Sequence, residues 1–305
     1  MQGKTLKKIC ALICGVVLCG SAIPCLSASA ETTSDGYQQE TYYEYKPGNS
    51  NPIKEYTLNT NPVTTARGII IDNDPAGRPP LTPVDQRIVN VGYSATGAIV
   101  GDNAILTCAH SVIHDDGSFH EVSGVQIVNS YVSNTDDESS RKKLVVTGYH
   151  VPKEYVENHT GYYDYAIITV KIDNGDGTYS DLSEYGHFDM GIPLNSLNNK
   201  SDDLKKVRVS GFFYDLIGYN DNGTPITQAL LKTSTGKVTN VTNVNLYNDA
   251  VVSGGTSGAP VYMEKTYNGR KYQTIVGLIS NNSVKINKMI LKFALSNPNV
   301  DDDFN

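Results

Sequence analysis

Three short segments carry side chains whose types could act on one another. In Ile105-Leu106-Thr107-Cys108-Ala109-His110 an apolar run ends in small residues and then an imidazole. That group exchanges protons near neutral pH, and here it sits where a strand would stop. In Tyr162-Tyr163-Asp164-Tyr165-Ala166-Ile167-Ile168-Thr169-Val170 a carboxylate stands just before another apolar run. Buried beside an imidazole, it would fix the tautomer and stabilise the charged ring. In Ser253-Gly254-Gly255-Thr256-Ser257-Gly258-Ala259-Pro260-Val261-Tyr262 glycines surround a serine. They allow a tight turn that exposes a hydroxyl and aims backbone N–H groups at one point. Each segment alone has an ordinary explanation: a packed histidine, a turn aspartate, a Gly-rich surface loop. Together they run His, Asp, Ser, each on the flank of an expected strand.

The surrounding pattern is short strands and turns. Strands are expected at Arg87–Val91, Thr96–Val100, Val122–Val128, Lys143–Thr147, Ala166–Ile172 and Lys206–Gly211. Further ones fall at Gln228–Leu231, Lys237–Val241, Ala259–Tyr262 and Thr274–Ile279. Gly101-Asp102-Asn103, Asp115-Asp116-Gly117, Asn174-Gly175-Asp176-Gly177 and Asp221-Asn222-Gly223 are turn signals between them. This spacing argues for an all-β sandwich or barrel pair and against βαβ units. The 27 glycines and 20 tyrosines agree with it. One short C-terminal helix is expected near Val284–Leu295. The serine segment also fails the G-x-S-x-G elbow, since Ala259 takes the last position, which counts against an α/β-hydrolase.

The chain resembles the chymotrypsin-like serine peptidases, and specifically their bacterial glutamyl-endopeptidase branch. The resemblance rests on Thr107-Cys108-Ala109-His110, on Asp164-Tyr165-Ala166-Ile167 and on Gly254-Gly255-Thr256-Ser257-Gly258-Ala259-Pro260-Val261. Ser234-Thr235-Gly236-Lys237-Val238 and Leu246-Tyr247-Asn248-Asp249-Ala250 are similar to segments that precede the serine in that branch. The likeness spans about residues 68–290. It implies two antiparallel Greek-key β-barrels with the active site between them, and acyl transfer by a triad. Ser257 would attack the scissile carbonyl, His110 would move the proton, and Asp164 would orient His110. The N–H groups of Gly255 and Ser257 would form the oxyanion hole. Protein or peptide substrates, an activating protease and a monomeric state are implied, and no cofactor. No His/Cys/Asp cluster has zinc spacing and no acidic loop has EF-hand spacing.

The resemblance breaks at the residues that select the substrate. The glutamyl branch is associated with a threonine five residues before the nucleophile and a histidine in the later G-x-H strand. Here those positions are Val252 and Ile279, the latter in Gly277-Leu278-Ile279-Ser280-Asn281-Asn282. Two aliphatic groups leave a bound carboxylate unpaired, at a cost on the order of several kcal/mol. A pocket of Val252, Ile279, Ser280 and Asn282 should therefore not strongly prefer Glu. The alternatives at this stage are a non-catalytic secreted binding protein on the same fold and an esterase using the same triad.

The N-terminus reads as an export signal over residues 1–30. Lys4, Lys7 and Lys8 precede an apolar run to Ile23, and Ala28-Ser29-Ala30 gives an A-x-A cleavage pattern. Leu18 and Pro24 before Cys19 and Cys25 argue against a lipid anchor there. Secretion follows, with no membrane span after signal removal. Four of the five cysteines lie in that signal, so the mature chain is not built on disulfides, and Cys108 reads as a buried small residue. Residues 31–67, rich in Thr, Tyr, Asn, Glu and Pro, read as a propeptide or linker processed near Arg67, leaving 68–305 as the peptidase domain. The chain carries a net charge of −7, and losing the three lysines of the signal makes it −10. Such a chain is a poor partner for nucleic acid or anionic membranes. His114, His120, His150, His159 and His187 read as ordinary loop residues. The runs at 136–138, 202–203 and 301–303 read as solvated acids.

Overall fold

The apolar runs become strands, and two sheets collect them. The computed structural model describes residues 31–32, 38–60, 69–71, 85–128, 141–193, 206–280, 284–286 and 290. Positions 93, 115, 123, 221, 224, 243 and 268–269 within those ranges are excepted. The export signal, Arg67, Asn282 and the three acidic runs lie outside the described residues.

Before the expected domain come β1 (Glu31–Thr32), β2 (Gln38–Tyr45) and β3 (Lys54–Thr60), and β4 (Ile69–Ile71) opens it. The first sheet continues with β5 (Ile88–Val91), β6 (Ala95–Ile99), β7 (Ala104–Thr107), β8 (Val125–Val128), β9 (Arg141–Pro152), β10 (Ala166–Asp173) and β11 (Tyr179–Ser180). Six of these close on themselves in the order β9-β8-β5-β6-β7-β10, with β10 pairing back to β9. Every pair in that ring is antiparallel. A register shift between Thr169 and Val170 bulges the β10–β9 ladder, which closes the barrel. The strands β5, β6 and β7 are buried along their whole length. They are therefore mostly apolar without the alternation of a half-buried strand, and the polar Asn90 and Thr96 among them are buried as well.

The second sheet holds β12 (Asp189–Pro193), β13 (Val207–Tyr219), β14 (Pro225–Gly236), β17 (Pro260–Tyr267), β18 (Arg270–Leu278) and β19 (Val284–Lys285). Its order is β14-β13-β17-β18-β12-β4, with β19 added on β18. A separate pair, β15 (Val238–Val241) and β16 (Leu246–Asn248), lies beside it. This departs from two closed antiparallel barrels. Among the described residues the ends of the order do not pair, and β12 runs parallel to β18. The cause lies in the β13–β14 hairpin. The two strands pair from Val207 to Tyr219, yet β13 meets β17 only at Arg208 and Val209. Most of the hairpin leaves the sheet as a two-stranded ribbon instead of bending round to close it.

Two more expectations change. Val284–Lys285 is a strand against β18, not the start of a helix, because Gly277 and Leu278 offer it an open edge. Ile290 is helical, and the residues after it lie outside the described set. Residues 38–60 are not an unpaired linker: β2 lies along β9 and β3 lies along β2. Their polar composition hides the tyrosines that do the packing; Tyr42 and Tyr45 are buried in the barrel core. A six-residue helix, α1 (Lys153–Asn158), follows β9. No helix of the described residues is long and apolar enough to cross a membrane.

Candidate active site

The ladder between β7 and β10 brings His110 and Asp164 together. Thr107 opposes Ala166, so the chain just after β7 and the chain just before β10 leave the same end of the barrel. After Thr107 the chain passes through extended Cys108 into a single 3₁₀ turn, Ala109–Ser111, which turns His110 toward the barrel rim. Asp164 follows another 3₁₀ turn, Gly161–Tyr163, with φ −74° and ψ 64°. The Tyr165 N–H donates to Tyr163 O at 2.8 Å, which closes an inverse γ-turn centred on Asp164. That tight bend projects a carboxylate which is itself buried.

Both carboxylate oxygens hold His110. Oδ1 accepts the His110 backbone N–H at 2.9 Å, and Oδ2 lies 2.8 Å from Nδ1. A carboxylate beside Nδ1 accepts that nitrogen's N–H, so that in the neutral ring Nε2 is the basic nitrogen. The two residues are 54 apart in sequence. Burial alone would pull the His110 pKa down. Hydrogen bonds to Asp164 and Cys108, with the electrostatic pull of both, outweigh it and raise the value above the ordinary 6.5. Cys108 Sγ lies 3.4 Å from His110 Nε2 and 2.9 Å from Ser111 Oγ. The thiol is buried, as its apolar flank suggested, but it touches the imidazole, which the sequence did not reveal.

Ser257 sits in a loop pinned from both sheets. Gly254 O accepts the Tyr214 N–H at 2.9 Å, and Thr256 O accepts the Ala259 N–H at 2.8 Å. A trans peptide directs its N–H opposite to its carbonyl, and no peptide here is cis. The N–H groups of Gly255 and Ser257 therefore point away from those anchors. Among the described hydrogen bonds neither has an acceptor. Gly255 has φ +87° and Gly258 has φ +83°, a region open to glycine at little cost. A Cβ on Gly258 would lie 2.1 Å from Thr96 O and 2.3 Å from Thr107 Oγ1. It would also lie 3.1 Å from Cys108 N, so the serine loop rests directly against the segment that carries His110. The described hydrogen bonds do not include one between Ser257 Oγ and His110 Nε2.

Thr96 was not singled out in the sequence, and it is the residue on which the arrangement turns. Its N–H donates to Ser257 O at 2.8 Å. Its Oγ1 donates to Gly255 O at 2.7 Å and accepts the Phe212 N–H at 3.0 Å. Its carbonyl accepts Thr107 Oγ1–H at 2.8 Å. One buried barrel residue thus ties together the serine loop, the second sheet and the strand before His110. Tyr214 is a second residue of this kind: its ring lies under Gly254 and Gly255. Both were hidden because a threonine or tyrosine inside a strand carries no local signal.

The residues expected to select substrate are only partly together. Val252 is 42% exposed on the serine loop. Ile279 is bonded to the loop through its backbone, receiving the Gly258 N–H and donating to Ala259 O, each at 2.8 Å. Its side chain packs into the second core with Ala259 and Val261. Ser280, next to it, is half-buried. Of the other histidines, His150 is not a loop residue: it is buried in β9 and lies 3.1 Å from the Tyr56 hydroxyl. His114 stacks on His120, and His159 ends α1 in a left-handed conformation. Cys108, His110 and Asp164 are also the described group whose ligand atoms lie close enough for a metal, within 4.8 Å. Both Asp164 oxygens there already accept hydrogens from His110.

Neither a protein-family model nor a curated protein sequence matches the chain. A solved structure described as Glu endopeptidase in complex with MPD is similar to it, at 19% identity and a TM-score of 0.47. The similarity covers 76% of this chain and 96% of that one.

Proposed function

We propose that this chain is a secreted serine endopeptidase that cleaves peptide bonds through an acyl-enzyme on Ser257. The observation that carries the reading is the serine loop. The N–H groups of Gly255 and Ser257, which have no acceptor among the described hydrogen bonds, stand where the loop abuts the segment bearing an aspartate-bound imidazole. In this reading His110 Nε2 takes the Ser257 proton as Oγ attacks the substrate carbonyl. The Gly255 and Ser257 N–H groups receive the oxyanion, and a donor of that kind typically contributes ~10²–10³ in rate. Asp164 stabilises the imidazolium through Oδ2 and holds the backbone of the same residue through Oδ1. His110 then returns the proton to the leaving amine, and water repeats the sequence on the acyl-enzyme.

Substrate would lie in the groove between the barrel and the second sheet, with Val252 and Ser280 near its P1 side chain and Ile279 behind them. An exposed Val252 and a buried Ile279 at the positions where the resembled branch has threonine and histidine support a less polar pocket than one built for glutamate. Residues 1–30 would direct export and be removed, and processing would fall near Arg67. The mature protein would be a monomer that needs no cofactor. An organophosphonate probe tests the reading: the secreted protein should label, and Ser257→Ala should not. Failure of the folded wild type to label, with a binding partner recovered instead, would favour the non-catalytic alternative.

A further inference from the structure

The polar N-terminal segment holds up both loops that carry the proposed acid–base pair. Strand β2 pairs with β9 from Tyr42 opposite Pro152 to Tyr45 opposite Tyr149. From it Glu40 and Tyr42 enter the barrel side that carries Asp164. Glu40 is buried, and its Oε2 accepts hydrogens from two phenols, Tyr42 and Tyr165, each at 2.5 Å. The phenol oxygens themselves stand 3.0 Å apart around that shared acceptor. Tyr165 is the residue after Asp164, and its N–H closes the γ-turn that projects the Asp164 carboxylate. Fixing the buried Tyr165 ring therefore fixes one arm of that turn.

The same strand reaches the other loop. Tyr45 stacks on Phe119 with centroids 4.3 Å apart and planes 7° apart. Phe119 is bridged to Ile113, which follows the His110 turn and donates its N–H to Ala109 O. At the hairpin tip the Gly48 N–H donates to Glu121 Oε2 at 2.8 Å. On the outer strand Glu55 accepts from Lys153 and the Tyr56 hydroxyl meets His150. An inhibitory segment made to depart would cover the serine loop and bury little behind it. Here one face of β2 is buried behind the His110 and Asp164 loops, with Tyr42 and Tyr45 in the barrel core.

We propose that residues 38–60 are a permanent part of the active protein, retained even if the chain is cut near Arg67. Within them Glu40 is a positioning residue for Asp164, acting through Tyr165. This rests on the serine-peptidase reading. The hairpin needs no covalent bond across the cut to stay, because its pairing with β9 and the burial of Tyr42 and Tyr45 already join it to residues after Arg67.

The test has two arms. In the first, residues 64–67 of the full chain are replaced by the recognition sequence of a site-specific protease, and the protein is cut after purification. The N-terminal fragment should co-elute with the remainder on native size exclusion and separate only in denaturant. Peptide hydrolysis should stay within twofold of the uncut protein. A fragment that leaves under native conditions while activity is kept or rises overturns the proposal. In the second arm, Glu40→Ala should lower kcat about tenfold with KM changed less than twofold, and should shift the acidic limb of kcat/KM. Glu40→Gln keeps an acceptor oxygen for both phenols and should restore most of the rate. A lowered melting temperature with kcat and pH profile unchanged would make Glu40 merely structural and refute its positioning role. Co-elution is read without activity, so a chain that never labels with phosphonate sinks the peptidase reading and not the retention of the hairpin.

Discussion

Replacing Thr96 with valine keeps the shape of a buried side chain and deletes one oxygen. That oxygen donates to Gly255 O at 2.7 Å and accepts the Phe212 N–H at 3.0 Å. Thr96 has no exposed surface, so water does not replace either bond. Leaving a buried donor or acceptor unmade costs about 1–3 kcal/mol, so the two together amount to roughly 2–6 kcal/mol. Against a typical total of ~5–15 kcal/mol the variant should still fold, at a visibly lower urea midpoint. Part of the cost can be avoided if the Gly255–Thr256 peptide turns its carbonyl to solvent, and that rotation displaces the loop holding the Gly255 N–H. The phosphonate labelling rate should then fall by ~10²–10³, the loss expected for one oxyanion donor. Thr96→Ser keeps the hydroxyl and should recover most of both effects. A Thr96→Val protein with unchanged midpoint and unchanged labelling rate would refute the claim that this hydroxyl sets the loop.

Gly258→Ala should be more severe, because the new Cβ meets a backbone carbonyl at 2.1 Å in a left-handed conformation. Labelling should be lost while the far-UV circular dichroism persists. The His110 pKa is raised, so kcat/KM should climb with pH through an apparent pKa above 6.5. Cys108→Ala removes one of the groups that raise it and should move that limb to lower pH, read from the pH–rate profile. A raised pKa also means that folding favours the imidazolium. Its stabilising contribution is full below 6.5 and fades as pH rises through the raised value, which urea midpoints across that range would show. Profiling on a peptide library should show no dominant preference for Glu or Asp at P1; a dominant one would overturn the pocket assignment of Val252 and Ile279.

Local chemistry was legible where it was punctuated. The strands before His110 and after Asp164 could be read because each opens on a buried apolar run, and the serine loop because its glycines have φ values that glycine favours. Contacts built from ordinary strand residues could not be read. Thr96 and Tyr214 act only through where the barrel and the second sheet place them, and their neighbours in sequence give no hint of it. The strands of the N-terminal hairpin are hard to read for a related reason. Its composition is polar, and its packing depends on Tyr42 and Tyr45 set among buried glutamates, one of which, Glu40, also bonds the distant Tyr165. The open second sheet is a third case. Two closed barrels were expected by resemblance, and the sequence of β13 and β14 does not announce that the ribbon outruns its neighbour.

The most direct measurement is a crystal structure of the secreted protein after reaction with a peptidyl phosphonate. The account predicts phosphorus bonded to Ser257 Oγ, one phosphoryl oxygen within hydrogen-bond distance of both the Gly255 and Ser257 nitrogens, and His110 Nε2 beside the ester oxygen. A modified residue other than Ser257, or an adduct whose oxygen faces solvent with His110 turned away, would contradict it.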